Sequence, residues 1–272
     1  KLDPYRSCPS DVNSLFKNIP KSLTKTTAES WKINRPISKS CYLNETSFEP
    51  FRGSKLVSLI FRYSDKIIGD ELRSMNSLDL TWCRLSAIED GVFETLPELQ
   101  YLSLKGNQLG PRKLNLFKSA TSGHQLNTLL LGSIGAFSDD SIVYEFGHVL
   151  ENSPIVNILV MNGNLMAKLP KFSSGATDYI EITSISFNDN KLTDLSKGAT
   201  EEMCRLMPKI KFFLAENNLV TDITGICVSV QRLIMSDNFV GLRVENLLQL
   251  HQMVNLGRIE LSRNGITAFP AH

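Results

Sequence analysis

Residue types that could do chemistry are few in this chain, and their spacing disperses them. The four histidines, His124, His148, His251 and His272, lie too far apart in sequence for any usual metal-ligand motif. H-E-x-x-H, C-x-x-C, G-x-S-x-G and phosphate-loop motifs are all absent. The run Gly106-Asn107-Gln108-Leu109-Gly110 resembles a glycine-rich loop only superficially and reads as a turn. Asp139-Asp140 and Glu201-Glu202 read as solvated helix starts, where negative charge suits the helix dipole. No catalytic residue, metal site or cofactor is therefore expected. A formal net charge of +1 argues against general nucleic-acid binding. No apolar run reaches the roughly eighteen residues of a membrane span. What remains is the chemistry of binding, carried by aromatic residues and arginines, the side chains that dominate hot spots.

A repeat places those side chains. The stretch from Met75 to Leu109 holds two copies of L-x-x-L-x-L-x-x-(N/C)-x-L. The first uses Met75, Leu78, Leu80, Cys83 and Leu85, and the second uses Leu99, Leu102, Leu104, Asn107 and Leu109. Each copy predicts one short strand with positions 1, 4 and 6 pointing inward. Position 9 also turns inward, where an Asn can satisfy backbone groups of the turn. One copy cannot bury its apolar face alone, so copies must stack. The pattern and its period of 24 residues resemble the leucine-rich repeat.

The pattern runs along the chain. Residues 1–27 lack it and read as an N-terminal cap, followed over 28–272 by an array of about ten repeats. A degenerate first copy has Trp31, Ile33 and Pro36 at positions 4, 6 and 9. Further copies start at 56, 75, 99, 126, 156, 182, 209, 230 and 256. Ile134 puts an apolar residue in the Asn position of the copy at 126, and residues 138–150 read as a back-side helix. The copy at 209 admits two registers. Phe212, Leu214 and Asn217 fit one, preferred here, which puts Lys209 at position 1; Ile210, Phe213, Ala215 and Asn218 fit the other. A slip of one residue exchanges the inward and outward faces. After the last copy, Ile259, Leu261 and Phe269 would have an uncovered edge, so the natural protein is expected to continue past His272.

Of the five cysteines, Cys83 holds an inward position 9 and reads as a buried free thiol. Cys8 with Cys41 and Cys204 with Cys227 can form two disulfides, with free buried thiols as the alternative. Asn44-Glu45-Thr46 is the one usable glycosylation sequon. With a disulfide it favours an extracellular setting. No signal peptide stands at Lys1, so secretion would imply that one had been removed.

The segments Cys83–Leu104 and Leu256–Pro270 look like the animal extracellular leucine-rich-repeat proteins. These include Toll-type receptor ectodomains, adhesion proteins and secreted recognition proteins. The resemblance implies an α/β repeat solenoid, a curved horseshoe with a parallel concave β-sheet and an irregular convex side. It also implies a non-enzymatic module that binds a protein or glycan, without membrane insertion, alone or within a dimer or hetero-complex. The family's N-terminal cap commonly carries four clustered cysteines, and this chain offers only Cys8 and Cys41.

The outward positions then supply candidate binding residues. Position 8 gives Tyr63 and Trp82 on neighbouring strands, position 7 gives Arg62 and Lys105, position 5 gives Asp79, and position 3 gives Tyr101. A second, apolar row along position 5 comprises Leu130, Val160, Phe213 and Ile234. The bland alternative is a set of surface aromatics that pack on one another. Arg232, Asp237, Arg258, Glu260 and Arg263 form a third group, mixed in sign and expected to be solvated. The leading expectation is an extracellular recognition module that engages its partner through the concave face. Alternatives are a scaffold or inhibitor wrapping a protein partner, and an intracellular adaptor.

Overall fold

The computed structural model describes residues 30–34, 58–62, 76–82, 98–107, 126–134, 156–170 and 181–268, with isolated positions 93, 96, 109, 116 and 172. The chain falls into two compact units, one built mainly from residues 1–135 and the other mainly from residues 155–272. In the first unit β1 (Ser30–Asn34), β2 (Ser58–Arg62), β3 (Ser77–Asp79), β4 (Tyr101–Ser103) and β5 (Thr128–Leu130) pair in parallel, each with the next. In the second, β6 (Ile158–Val160), β7 (Ser184–Ser186), β8 (Phe212–Leu214), β9 (Arg232–Ile234) and β10 (Arg258–Glu260) do the same. Parallel neighbours joined in chain order require a long crossover each time, and the rest of each repeat supplies it. This is the leucine-rich-repeat solenoid that the pattern implied.

The inward residues make the core. Leu78, Leu102 and Leu129 stack at position 4 of the first unit, and Leu159, Ile185, Phe213 and Leu233 at position 4 of the second, all buried. Position 6 adds Leu80, Leu104 and Leu131, then Met161, Phe187, Ala215 and Met235. On the outermost described strand of the second unit, β10, the equivalent Ile259 is 39% exposed.

Position 9 carries a ladder of buried asparagines, Asn164, Asn190, Asn218, Asn238 and Asn264. Asn190 Nδ2 donates to the carbonyls of Met161 (3.1 Å) and Phe187 (2.8 Å), while its Oδ1 accepts from the amides of Asn164 and Met166. Asn218 repeats the arrangement, donating to Phe187 and Ala215 carbonyls and accepting from the Leu192 amide at 3.0 Å. Each amide thus joins two successive turns, and buried polar groups that would otherwise be costly are paired. The residue just before each Asn has positive φ: Asp189 (59°), Asn217 (53°), Asp237 (59°) and Arg263 (57°). The left-handed turn there lets the Asn side chain fold back beneath the strand.

One expectation needs correction here. The copy expected to begin at Lys209 begins at Ile210, so Phe213, not Phe212, faces the core, and Asn218, not Asn217, joins the ladder. Phe213 is 0% exposed and packs on Phe187 with ring centroids 6.0 Å apart, whereas Phe212 is 40% exposed. The physical reason is charge. The rejected register would put Lys209 at an inward position, and lysines are almost never buried unpaired. Instead Lys209 Nζ reaches outward to the Glu181 carboxylate at 2.5 Å.

The described back side of the second unit is irregular, with helices α1 (Lys197–Leu206) and α2 (Val244–Gln252) and a 3₁₀ turn (Val240–Leu242). Helix α1 buries Thr200, Met203 and Leu206. Glu201 and Glu202 lie beyond its first turn, exposed. Cys204 on this helix forms a disulfide with Cys227 of the following repeat, Cα atoms 5.4 Å apart. Gly225 sits so close to the helix start that a Cβ there would collide with the Ser196 carbonyl. Cys8, Cys41 and Cys83, the cap over 1–27, the helix expected over 138–150 and Phe269 lie outside the described residues.

Candidate functional site

The first unit brings four of the expected binding residues together on β3, β4 and the turns after them. Register places Ser77 beside Tyr101 and Asp79 beside Ser103. Asp79 Oδ1 accepts from the Thr81 amide at 2.9 Å and from the Thr81 hydroxyl, and the Thr81 and Ser103 hydroxyls lie 2.7 Å apart. The strand is thus stapled to its own turn and to its neighbour. Half-buried Tyr101 has its phenol pushed above the usual value, by burial first and by the Asp79 charge second, against a hydrogen bond with Ser103 that pulls it down. It stays neutral across the physiological range and keeps both a donor and an acceptor. Lys105, two residues beyond β4, is exposed.

Trp82 is the largest exposed group of this cluster, at 47%. Its backbone is left-handed (φ 57°) and its amide donates to the Lys105 carbonyl at 2.8 Å. The indole lies on Gly106, itself at φ 72°, where any Cβ would occupy the space of the ring. Glycine is required there twice over, by the turn and by the ring. The structure therefore holds one indole face against backbone and offers the rest to solvent.

The apolar row along position 5 is broken up. Leu130 and Val160 are half-buried, each within its own unit, and Ile234 is buried. Phe213, expected to be outward, belongs to the core, and the register correction puts half-buried Leu214 in its place between Ser186 and Ile234. The row is therefore shallower and less exposed than its sequence suggested. Arg62 closes β2, and nothing is described of its side chain; Tyr63 and Asn44 lie outside the described residues.

Sequence reasoning missed Phe212. The signal was available, because an inward Lys209 should have decided the register. Around Phe212 stand Lys211, Arg232 and Arg258, the last two sharing the Glu260 carboxylate at 3.4 and 2.7 Å. Asp237 pairs with Arg263, whose hydrogen bonds hold the carboxyl below its usual range. Among the described residues no cluster of His, Cys, Asp or Glu could hold a metal ion, and no helix is long and apolar enough to cross a membrane.

No family model matches the sequence, and no curated protein is similar to it. Solved structures are similar in fold. An internalin (InlF) from Listeria monocytogenes superposes with a TM-score of 0.54 at 16% identity, over 92% of this chain and 66% of that one. A TLR13–ssRNA13 complex gives a TM-score of 0.54 at 17% identity, over 82% of this chain and 35% of that one. The chain thus spans less than two thirds of either. At such identity the likeness concerns the solenoid alone.

Proposed function

We propose that this chain is a non-enzymatic recognition module that works outside the cell and engages a protein partner through the outward face of its strands, with Trp82, Tyr101, Asp79 and Lys105 at the centre. The observation that carries this reading is the indole of Trp82, held flat on Gly106 yet half open to solvent. A large aromatic fixed before binding loses little freedom on docking, which is what makes a hot spot effective. Tyr101 adds a neutral hydroxyl, while Lys105 and Asp79 supply charges of both signs. The Cys204–Cys227 disulfide and the Asn44 sequon support an extracellular setting. Single-stranded RNA, the ligand in the TLR13 complex of similar fold, is the rival partner, and a formal net charge of +1 does not favour it.

The test is capture of partners from extracellular fluid with the wild-type chain and with Trp82→Ala, followed by mass identification. Trp82→Ala should weaken a captured protein on the order of 2–4 kcal/mol while leaving the thermal melt intact. Unchanged affinity would remove the site from this face.

A further inference from the structure

The corrected register gives the second unit an outward surface that no sequence pattern announced. Ser184, Phe212, Arg232 and Arg258 stand in one row across β7–β10, in register, with Lys211 immediately before Phe212. Three cations at this edge face one carboxylate, Glu260, since Glu181 is already paired with Lys209. Lys211 is exposed and without an ion pair among the described residues, and the Arg258 side chain is 61% exposed. Arg232 makes one 3.4 Å bond to Glu260, and its covered Nε has no partner among the described residues. The edge therefore holds many more charged donors than acceptors, and arginine forks match carboxylates well.

The other end of the same strands has the opposite sign. Asp189, Glu216 and Asp237 lie at the turns, with Arg263 bound to Asp237. Glu216 accepts from Asn188 Nδ2 at 3.2 Å. Four residues of extended chain, roughly 13 Å, separate Phe212 from Glu216. Between the two edges lie Leu214 and Ile234, adjacent in register, with exposed Phe212 beside them.

We infer that this surface docks an extended protein segment of complementary polarity. Its carboxylates lie on Lys211, Arg232 and Arg258, an apolar side chain lies on Phe212 and Leu214, and its basic end lies toward Glu216 and Asp189. The inference rests on the proposed recognition function and names a partner chemistry for it. Nucleic acid is the poorer match, because a polyanion reaching past three cations meets the carboxylates of Asp189 and Glu216.

Fluorescence anisotropy on the whole chain tests this with a short labelled peptide carrying Glu-Glu-Phe at one end and Lys-Lys at the other. Its controls are a peptide of the same composition with the charges alternated, and an oligouridine of similar length. The polar peptide should bind at least about tenfold more tightly than the alternated one, and Arg232→Glu with Arg258→Glu should remove that preference. The doubly reversed variant, now acidic at both edges, should instead prefer a peptide with Lys-Lys at both ends, a switch that mere loss of folding cannot produce. Equal binding of the alternated peptide, no binding of either, or tighter binding of oligouridine would overturn the inference. A partner lost in Trp82→Ala while the peptide fails to bind would sink this inference and spare the earlier one.

Discussion

The two sides of strands β6–β10 obey different rules. Inward, five successive repeats present an Asn at position 9, and the same amide bonds recur with the same partners. Outward, the same strands present Ile158, Ser184, Phe212, Arg232 and Arg258 at one position, with no residue type in common until the two arginines. The inward side must meet an identical neighbour above and below, so each repeat constrains the next. The outward side is not packed between repeats; it touches its neighbours through polar pairs such as Arg232–Glu260 and is freer to differ. Regularity thus marks what holds the solenoid together, and irregularity marks where a partner could be read.

The sharpest way to break this contrast uses two adjacent phenylalanines. Phe213→Ala empties a buried position and should cost about 3–5 kcal/mol, while Phe212→Ala should stay within about 0.5 kcal/mol. Denaturant titration of both variants decides it, and equal costs would restore the rejected register. Asn218→Ala should follow at about 1–3 kcal/mol, because it strands the Leu192 amide, while the Phe187 and Ala215 carbonyls keep the side-chain amides of Asn190 and Asn238. Replacing Asn217 by Ala, one residue away, keeps the ladder. Its effect should be limited to the left-handed turn and the bond to Asp189. Loss of the Cys204–Cys227 bridge should cost about 2–4 kcal/mol by loosening the unfolded chain, readable as a lower melting temperature in the double Cys→Ala variant.

The same contrast explains what could be read in advance. Leu102, Leu159 and Ile185 are legible because an inward residue must be apolar, and Asn190 because only a short amide satisfies both turns. Ile134 shows the tolerance: an apolar residue, fully buried, stands at that position in the first unit. A Cys204–Cys227 pair is one of two readings, with free buried thiols as the other, and the structure forms the bond. The surface was harder to read. Trp82 was recognisable as outward, yet nothing in the letters told that its ring rests on Gly106, since that depends on two left-handed turns in successive repeats. The row of Phe212, Arg232 and Arg258 was hidden by a single residue of register. Arg232 and Arg258 read as solvated charges because their group is mixed in sign; the structure shows one carboxylate serving both.

Two aspartates allow the contrast to be tested with pH, at the smallest expected effect. Asp222 lies half-buried on the back side, where a bridge pairs it with Asp194 of the preceding repeat. Burial alone would raise its carboxyl, but hydrogen bonds from the Thr224 hydroxyl (2.6 Å) and amide (2.9 Å), and the Arg243 guanidinium at 2.7 Å, hold it below its usual value. A carboxyl depressed by folding contributes stability above its unfolded value, near pH 4, and loses it as pH falls through the lower folded value. Asp222→Asn should therefore melt below wild type at neutral pH, with the gap closing in acid below about pH 4. Asp237 is also depressed, through Arg263, but that pair is exposed on the outward side. High salt should erase the effect of Asp237→Asn, because exposed pairs are screened, and leave most of the gap from Asp222→Asn, whose Thr224 bonds are short-ranged. Melting both variants at neutral pH in low and high salt separates them. If salt erased both gaps alike, the back-side carboxylate would be no more built into the repeat than the outward one.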